Sequence, residues 1–426
     1  MQNRWIDRIG FGAADVLLPD FDQVDGGRWA VVACDQYTSE PAYWESVKTL
    51  VGNAPSTLNM ILPEVYLAET EARVPVINQA MQQMLDEVLH EKADAMIVLL
   101  RTQSDGSVRR GIIGAVDLER YDYRKGSDSL IRATEGTVLE RIPPRVAIRR
   151  DAPLELPHVM LLIDDPARTV IEPAAEAASA RAPLYDFDLM ADGGHVSARL
   201  LTDAEQESVC ASLAALATPE AMEARYHAKG LAPLLFAVGD GNHSLATAKE
   251  CYEIVKRELG EEAARKHPAR YALCEIVNLH DPALQFEPIY RVVFGADVED
   301  LMNELTNATE ALCGKGEAQT ITAISRDWER TVTVAHPEQQ LAVGTLQTFL
   351  SDYTASHPEV TVDYIHGEDS LRALACEEGA VGFLFAGMRK DELFRTVIFD
   401  GALPRKTFSM GHAQDKRYYL ECRKIK

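Results

Sequence analysis

One stretch in the middle of the chain joins an apolar run, a glycine turn and an amphipathic segment. Residues 234–238 (Leu-Leu-Phe-Ala-Val) are uninterrupted apolar residues, which predicts a short buried strand. Gly239 and Gly241 then permit a tight turn, because glycine reaches positive φ at little steric cost. Between Leu245 and Leu259 apolar residues recur at three- and four-residue steps, as on one face of a helix. The pattern predicts a strand–turn–helix unit.

The polar residues of this unit are concentrated on its turn, Asp240-Gly241-Asn242-His243-Ser244. Asn242 and Ser244 are both candidate N-caps of the helix. The N–H groups and the dipole at a helix start attract anions, phosphate above all. We therefore predict an anion-binding site at this turn. The alternative is a plain connection in which the same residues only shape the backbone.

The charge of the chain limits its partners. A net charge of −23 opposes binding to DNA or RNA, since a duplex-binding protein needs a dense basic surface. No apolar run approaches the length needed to cross a bilayer, and the first residues do not resemble a signal peptide. The seven cysteines never form a C-x-x-C pair, which is typical of reduced thiols. We expect a cytoplasmic protein with a small anionic ligand, no membrane partner, and a homodimer as one assembly open to it.

A segment between residues 120 and 150 reverses the acidic character of the chain. Its basic residues are Arg124, Lys125, Arg132, Arg141, Arg145, Arg149 and Arg150. Arginine suits bidentate recognition of phosphate or carboxylate. The segment therefore predicts a place where an anionic ligand is held, with an ion-paired surface helix as an equally supported alternative.

Asp35 resembles Asp240 in its sequence context. An apolar stretch precedes Asp35-Gln36-Tyr37, and a helix is predicted from about Pro41, where a proline costs little. These three residues are a further candidate site, with a purely structural turn as an equally supported alternative. Residues 1–27 look irregular, and a long helix is predicted over residues 69–92. The fold class is α/β (α+β) with a mixed sheet. We expect two domains, an α/β core at 1–292 that carries the turn, and a smaller C-terminal α/β domain at 293–426 with a tail that packs back.

Common catalytic signatures are absent from the sequence. It contains no G-x-x-x-x-G-K-[ST] loop, no G-x-G-x-x-G after a strand, no H-E-x-x-H and no G-x-S-x-G elbow. Cysteine catalysis has no support either, because no cysteine lies in a recognisable electropositive turn. A nonstandard anion site at the glycine turn remains.

Several segments spread over the whole chain match the pattern of one family. They are Asp35–Pro41, Pro55–Leu58, Leu62–Leu67, the Asp240-Gly241 turn, Asn278 with Asp281, Arg291–Phe294 and Leu403–Phe408. In this order they resemble the domain-of-unknown-function family 1015. The turn of that family usually reads Asp-Gly-His-His-Arg, whereas Asn242 and Ser244 replace the first His and the Arg here. Tyr290 also stands where a His is common, so the resemblance implies a subgroup with a changed ligand.

The Asp-Gly-x-His turn is also similar to that of the ParB/sulfiredoxin-like superfamily. There a strand–turn–helix of this kind binds nucleotide phosphates, and some members phosphorylate free L-serine. The resemblance implies a ParB/sulfiredoxin-like core and small-molecule phosphoryl transfer rather than DNA partitioning. Expected ligands are Mg²⁺, a donor (ATP, ADP or pyrophosphate) and a hydroxyl acceptor, serine or a relative.

Candidate roles follow from this hypothesis. Asp240, His243 and Glu135 are candidate catalytic residues, and Asp240 is the candidate Mg²⁺ ligand. The candidate substrate- and phosphate-binding residues are Gly241, Asn242, Ser244, Arg132, Arg141, Arg145, Asp35, Asn278 and Arg291. One alternative is a nucleotide-binding regulatory protein without turnover. Another is a nucleic-acid-binding module, against which the net charge weighs.

Overall fold

The computed structural model describes residues 3–136, 140, 142–156 and 158–426, and the chain divides into two compact units. Unit 1 comprises residues 1–284 and 412–426, and unit 2 comprises residues 285–411. The predicted α/β class with a mixed sheet is confirmed. The predicted division into domains 1–292 and 293–426 stays a prediction.

Helices and strands alternate irregularly through the first part of unit 1. In chain order they are α1 (Asn3–Ile9), β1 (Phe11–Gly12), β2 (Ala14–Pro19), α2 (Gly26–Trp29), β3 (Val31–Val32), α3 (Pro41–Val51), α4 (Thr70–Glu87), β4 (Leu89–Ala95), β5 (Ile97–Thr102), β6 (Val108–Asp117), β7 (Tyr121–Asp122), β8 (Ile131–Ala133), α5 (Ile142–Arg149), β9 (Leu154–Glu155), β10 (Met160–Ile163), α6 (Ile171–Ala178), β11 (Tyr185–Asp188), β12 (His195–Leu200), α7 (Asp203–Leu216), α8 (Pro219–Tyr226), β13 (Phe236–Asp240), α9 (Asn242–Leu259), α10 (Glu261–Ala264) and β14 (Tyr271–Asn278).

The main sheet of unit 1 runs in the order β11-β12-β5-β6-β14-β10-β13-β8-β7, with β1 beside β6. The pair β10–β14 is parallel, as are β13–β8 and β7–β8, whereas β10–β13 is antiparallel. Successive residues of a strand point to opposite faces of a sheet. Ile97 and Leu99 accordingly lie in one hydrophobic cluster, and Met96 and Val98 lie in another. The sheet therefore has a core on each face.

Unit 2 is built around an antiparallel sheet. Its elements are β15 (Phe286–Phe294), α11 (Val298–Glu310), β16 (Gln319–Ser325), β17 (Trp328–Val334), α12 (Ala342–Ser356), β18 (Thr361–His366), α13 (Glu368–Ala375), β19 (Ala380–Phe385), α14 (Lys390–Phe399) and β20 (Phe408–Met410). The strands run in the order β17-β16-β19-β15-β18, and β20 pairs with β15. Within the described residues, we find no helix whose length and apolarity would let it traverse a bilayer.

The C-terminal tail returns to unit 1 and adds β21 (Tyr418–Tyr419) and β22 (Arg423–Lys424). β21 pairs with β3, and β22 pairs with β9. Buried charges hold the tail in place. The Arg417 guanidinium lies 2.9 Å from a carboxylate oxygen of Glu275 on β14 and 2.5 Å from one of Glu421.

Two predictions about the N-terminal part are wrong. The helix predicted over residues 69–92 ends at Glu87, and residues 89–95 form β4. β4 pairs with β2, with Leu18 opposite His90, so part of the stretch that looked irregular is a strand. The reason is tertiary: hydrogen bonds between distant segments override the local helical pattern.

We predict that Arg417→Ala lowers the free energy of unfolding by about 3–5 kcal/mol, because it removes the guanidinium that the buried carboxylates Glu275 and Glu421 share, although Arg109 still lies 3.5 Å from Glu275. Urea unfolding followed by tryptophan fluorescence measures the change. Arg257→Ala, at an exposed position of α9, is the matched control and is expected to change stability by less than about 0.5 kcal/mol. Equal stability of the two variants would contradict a stabilising role of the buried pair.

Candidate functional site

The predicted strand–turn–helix is present as β13, Gly241 and α9. Gly241 has φ 78°, and a Cβ there would lie 3.0 Å from the Cα of Val159, so glycine suits this position in conformation and in space. Gly241 itself is the N-cap of α9, and no side chain caps the helix. The prediction that Asn242 or Ser244 is the N-cap is therefore wrong, because the left-handed glycine starts the helix one residue earlier.

An uncapped helix start is suited to an anion. The first N–H groups of a helix have no intrahelical acceptors, and the dipole adds partial positive charge. Asn242 uses its side chain elsewhere: its Oδ1 accepts from the N–H of Thr134 at 3.3 Å, and its Nδ2 donates to the carbonyl oxygen of Val238 at 3.4 Å. This amide holds Thr134, at the end of β8, beside the turn, and Glu135 is the next residue in the chain.

Asp240 lies at the end of β13 and is bonded on both carboxylate oxygens. Its Oδ1 accepts from the N–H of Gly241 at 3.0 Å, and its Oδ2 lies 3.3 Å from Nζ of Lys416. Lys416 comes from the C-terminal tail, whose position is fixed by the next residue, Arg417. The tail thus brings a cation to the turn.

His158 connects the turn to the second predicted aspartate. Its Nε2 lies 3.4 Å from Oδ2 of Asp35 and 3.3 Å from Oγ of Ser244, and its Nδ1 lies 2.8 Å from the hydroxyl of Tyr419. Tyr419 donates its proton to Sγ of Cys34 at 3.0 Å, which makes Nδ1–H of His158 the donor to Tyr419. Asp35 and Ser244 therefore meet the same ring nitrogen. A Ser–His–Asp triad needs them on opposite nitrogens, so this geometry is a different one.

The pKa values within this group shift in opposite directions. Burial disfavours the charged form of Asp35, but attraction to His158 and hydrogen bonds from His158 and Gln36 outweigh it and lower the pKa of Asp35. Burial likewise opposes a charge on His158, but the Asp35 carboxylate raises the pKa of the imidazole. Asp35 and His158 therefore form an ion pair. Burial raises the pKa of the Cys34 thiol to about 12, so this cysteine is not a ready nucleophile, as the sequence indicated.

Arg145 lies near the turn but is already paired. Its guanidinium forms an ion pair with Glu64. Both side chains line a cavity of about 150 Å³ that Ser244 and His158 also line. Arg149, another arginine of the same basic segment, also lines this cavity.

The remaining candidate residues are more widely spread. Arg132, on β8, donates to the carbonyl oxygens of Ser129 at 2.8 Å and Ala232 at 2.9 Å, so its guanidinium holds loops. Asn278 ends β14 and pairs with Ile163, whereas Asp240 pairs with Met160 at the other end of β10. Arg141 lies outside the described residues.

Arg291 belongs to unit 2, where it is fully buried. It donates to the carbonyl oxygen of Arg405 at 2.9 Å and to that of Lys406 at 3.2 Å. Two of the segments that carry the family resemblance, Arg291–Phe294 and Leu403–Phe408, are therefore in contact. In this arrangement Arg291 joins β15 to the loop before β20.

Sequence reasoning missed three residues of the site, His158, Lys416 and Tyr419. His158 follows a proline-rich stretch without any catalytic motif around it, and its partners are far away in sequence. The only signal for the other two was the basic and aromatic run Lys416–Tyr419 in a tail expected to pack back. His243, the second residue of α9, is half-buried.

Comparison with known proteins places the chain in a family. The protein-family model described as "Protein of unknown function (DUF1015)" matches residues 19–423. The chain belongs to this family. The resemblance drawn from the sequence segments is thereby confirmed for the DUF1015 family. No curated protein matches this DUF1015 chain.

Solved structures similar to this DUF1015 chain have low identity to it. A free serine kinase in complex with AMP is 11% identical with a TM-score of 0.37, and the match covers 73% of this chain and 91% of that one. A mutant free serine kinase in complex with ADP is 11% identical with a TM-score of 0.38, covering 76% and 95%. A conserved hypothetical protein from Pyrococcus furiosus is 12% identical with a TM-score of 0.35, covering 73% and 94%.

We predict that stability falls as pH rises from 6 towards 9. The folded-state pKa of His158 is raised, so its stabilisation is fully present below the unfolded value near 6.5 and is lost as pH rises through the folded pKa. The lowered pKa of Asp35 gives a contribution that is present above about pH 4 and is lost in acid. Urea unfolding at each pH measures both limbs.

Asp35→Asn is expected to cost about 3 kcal/mol at pH 6 and to flatten the profile between pH 6 and 9. The control is His366→Gln, at an exposed position of unit 2, which is expected to leave the slope unchanged. A slope that survives in Asp35→Asn would assign the pH dependence to other groups.

Proposed function

We propose that the chain is a small-molecule phosphotransferase that phosphorylates the hydroxyl of serine or a similar metabolite, with a nucleotide or pyrophosphate as donor. The observation that best supports this proposal is the start of α9. It lacks a side-chain cap, and Asp240, Lys416, His158 and Asp35 surround it. Phosphoryl transfer needs positioning and charge neutralisation more than covalent chemistry from the protein. This combination of groups is suited to that need.

The phosphate would be held at the first turn of α9. The N–H groups of residues 242–244 and the hydroxyl of Ser244 would donate to its oxygens. Lys416 and the protonated His158 add positive charge at the same place, which offsets the charge of the transferred group. Arg145 remains a candidate for binding an anionic group of one of the two substrates, through exchange of its partner Glu64.

Asp240 is the proposed Mg²⁺ ligand. Mg²⁺ is usually bound through one or two carboxylates together with substrate phosphates, rather than by an all-protein cage. In this structure the Asp240 carboxylate pairs with Lys416, so Mg²⁺ would bind there in exchange for that ammonium group. The metal would supply charge neutralisation of the donor phosphates. Glu135 and His243 remain the candidate groups for proton transfer at the acceptor.

The experiment is incubation of the pure protein with Mg²⁺, serine and each donor, followed by mass spectrometry of the products. We predict a phosphorylated amino acid with at least one donor and a loss of at least about 100-fold in rate for Asp240→Asn. The matched control is Asp327→Asn, in an exposed hairpin turn of unit 2, with a rate like that of the unchanged protein.

The outcomes separate the functions considered. A protein that binds ATP or ADP but forms no phosphorylated product with any donor and hydroxyl acceptor would be the nucleotide-binding regulatory protein instead. Product formation with an unchanged rate in Asp240→Asn would contradict the placement of the site at the turn.

A further inference from the structure

A pocket of about 150 Å³ lies directly beside the start of α9. Its wall is mostly apolar and includes the buried side chains Met60, Leu62, Met81, Val159 and Leu273. Ala248, one turn into α9 from Ser244, also lines it. The pocket is therefore bounded by core residues of unit 1 and is partly open to solvent.

Part of the lining of this pocket is polar. Ser244 and His158 line it, together with the Arg149–Glu155 ion pair and both members of the Glu64–Arg145 ion pair. The side chains of that pair are mostly buried, at 16% and 17% exposure. A molecule in the pocket would thus place an apolar group against the wall and polar groups near the helix start and near a paired carboxylate and guanidinium.

The volume of the pocket sets the size of that apolar group. A protein cavity of about 150 Å³ with apolar walls holds a molecule of the size of benzene. The side chain of serine offers one carbon atom and would leave most of the pocket unfilled. Each buried methylene strengthens binding by about fourfold, so an occupant with a larger apolar body gains affinity that serine does not.

We propose that this pocket binds the apolar body of the phosphoryl acceptor, an amino acid whose hydroxyl-bearing carbon carries a group of about benzene size. The inference rests on the proposed phosphotransferase function and deepens it. The hydroxyl faces Ser244 and His158 at the helix start. The ammonium and carboxylate groups of the amino acid match the carboxylate of Glu64 and the guanidinium of Arg145.

The test compares serine with 3-phenylserine, which shares its ammonium, carboxylate and hydroxyl groups and adds a phenyl ring. Isothermal titration calorimetry is performed on the full chain without a phosphate donor. We expect 3-phenylserine to bind at least about tenfold more tightly than serine. Equal affinities would overturn the proposal.

Two variants of the pocket sharpen the test. Ala248→Leu fills it and is expected to lower the affinity for 3-phenylserine at least tenfold, whereas Ala211→Leu, at an exposed position of α7, leaves it unchanged. Met81→Ala enlarges the pocket and is expected to raise the affinity for the naphthyl analogue of 3-phenylserine. That gain cannot arise from misfolding. Unchanged affinities in both pocket variants would contradict the assignment.

The failure of this proposal is distinguishable from that of the proposed function. If serine and 3-phenylserine bind with equal affinity and are phosphorylated equally well, the pocket assignment alone is contradicted. Tight binding of 3-phenylserine without transfer from any donor would support the pocket and contradict the phosphotransferase function.

Discussion

The buried pairing of Arg417 with Glu275 joins the C-terminal tail to the middle of the main sheet. A guanidinium removed from water is tolerated only when carboxylates compensate for its lost hydration, and Glu275 and Glu421 do so. The two partners are 142 residues apart, and their contact fixes the residues on either side of Arg417. Lys416 thereby meets Asp240, and Tyr419 meets His158. The polar surroundings of the turn consequently depend on the position of the tail.

Around the start of α9, three acids have basic partners. Asp35 pairs with His158, Asp240 with Lys416, and Glu64 with Arg145. Such pairing keeps charged groups close to a partly buried site without an excess of either sign, although the whole chain carries −23 charges. A phosphate or a cation entering the site would exchange these partners. The helix start itself has no side-chain cap.

The sequence predicted the strand–turn–helix well because its signals are local. An apolar run, two glycines and a helical repeat are each read within about ten residues, and they agree with one another. The cap was misassigned since it depends on the backbone angle of Gly241. The predicted helix beyond Glu87 failed for a different reason, the pairing of β4 with β2 across more than seventy residues. The role of the arginines between residues 120 and 150 was equally ambiguous. Proximity along the sequence does not say which carbonyl or carboxylate group each guanidinium contacts.

The sequence by itself determined the α/β class, the family and the place of the turn, because periodicity, glycine and short motifs act over a few residues. Only the tertiary structure decided what surrounds the turn. His158 and the tail lysine reach it through strand pairing and buried ion pairs, which depend on contacts between distant segments. Arg291 lies in the other unit, where its own contacts with the carbonyl oxygens of Arg405 and Lys406 hold a loop. Charge and distance in three dimensions, rather than residue type, separated the groups at the turn from those that support the fold.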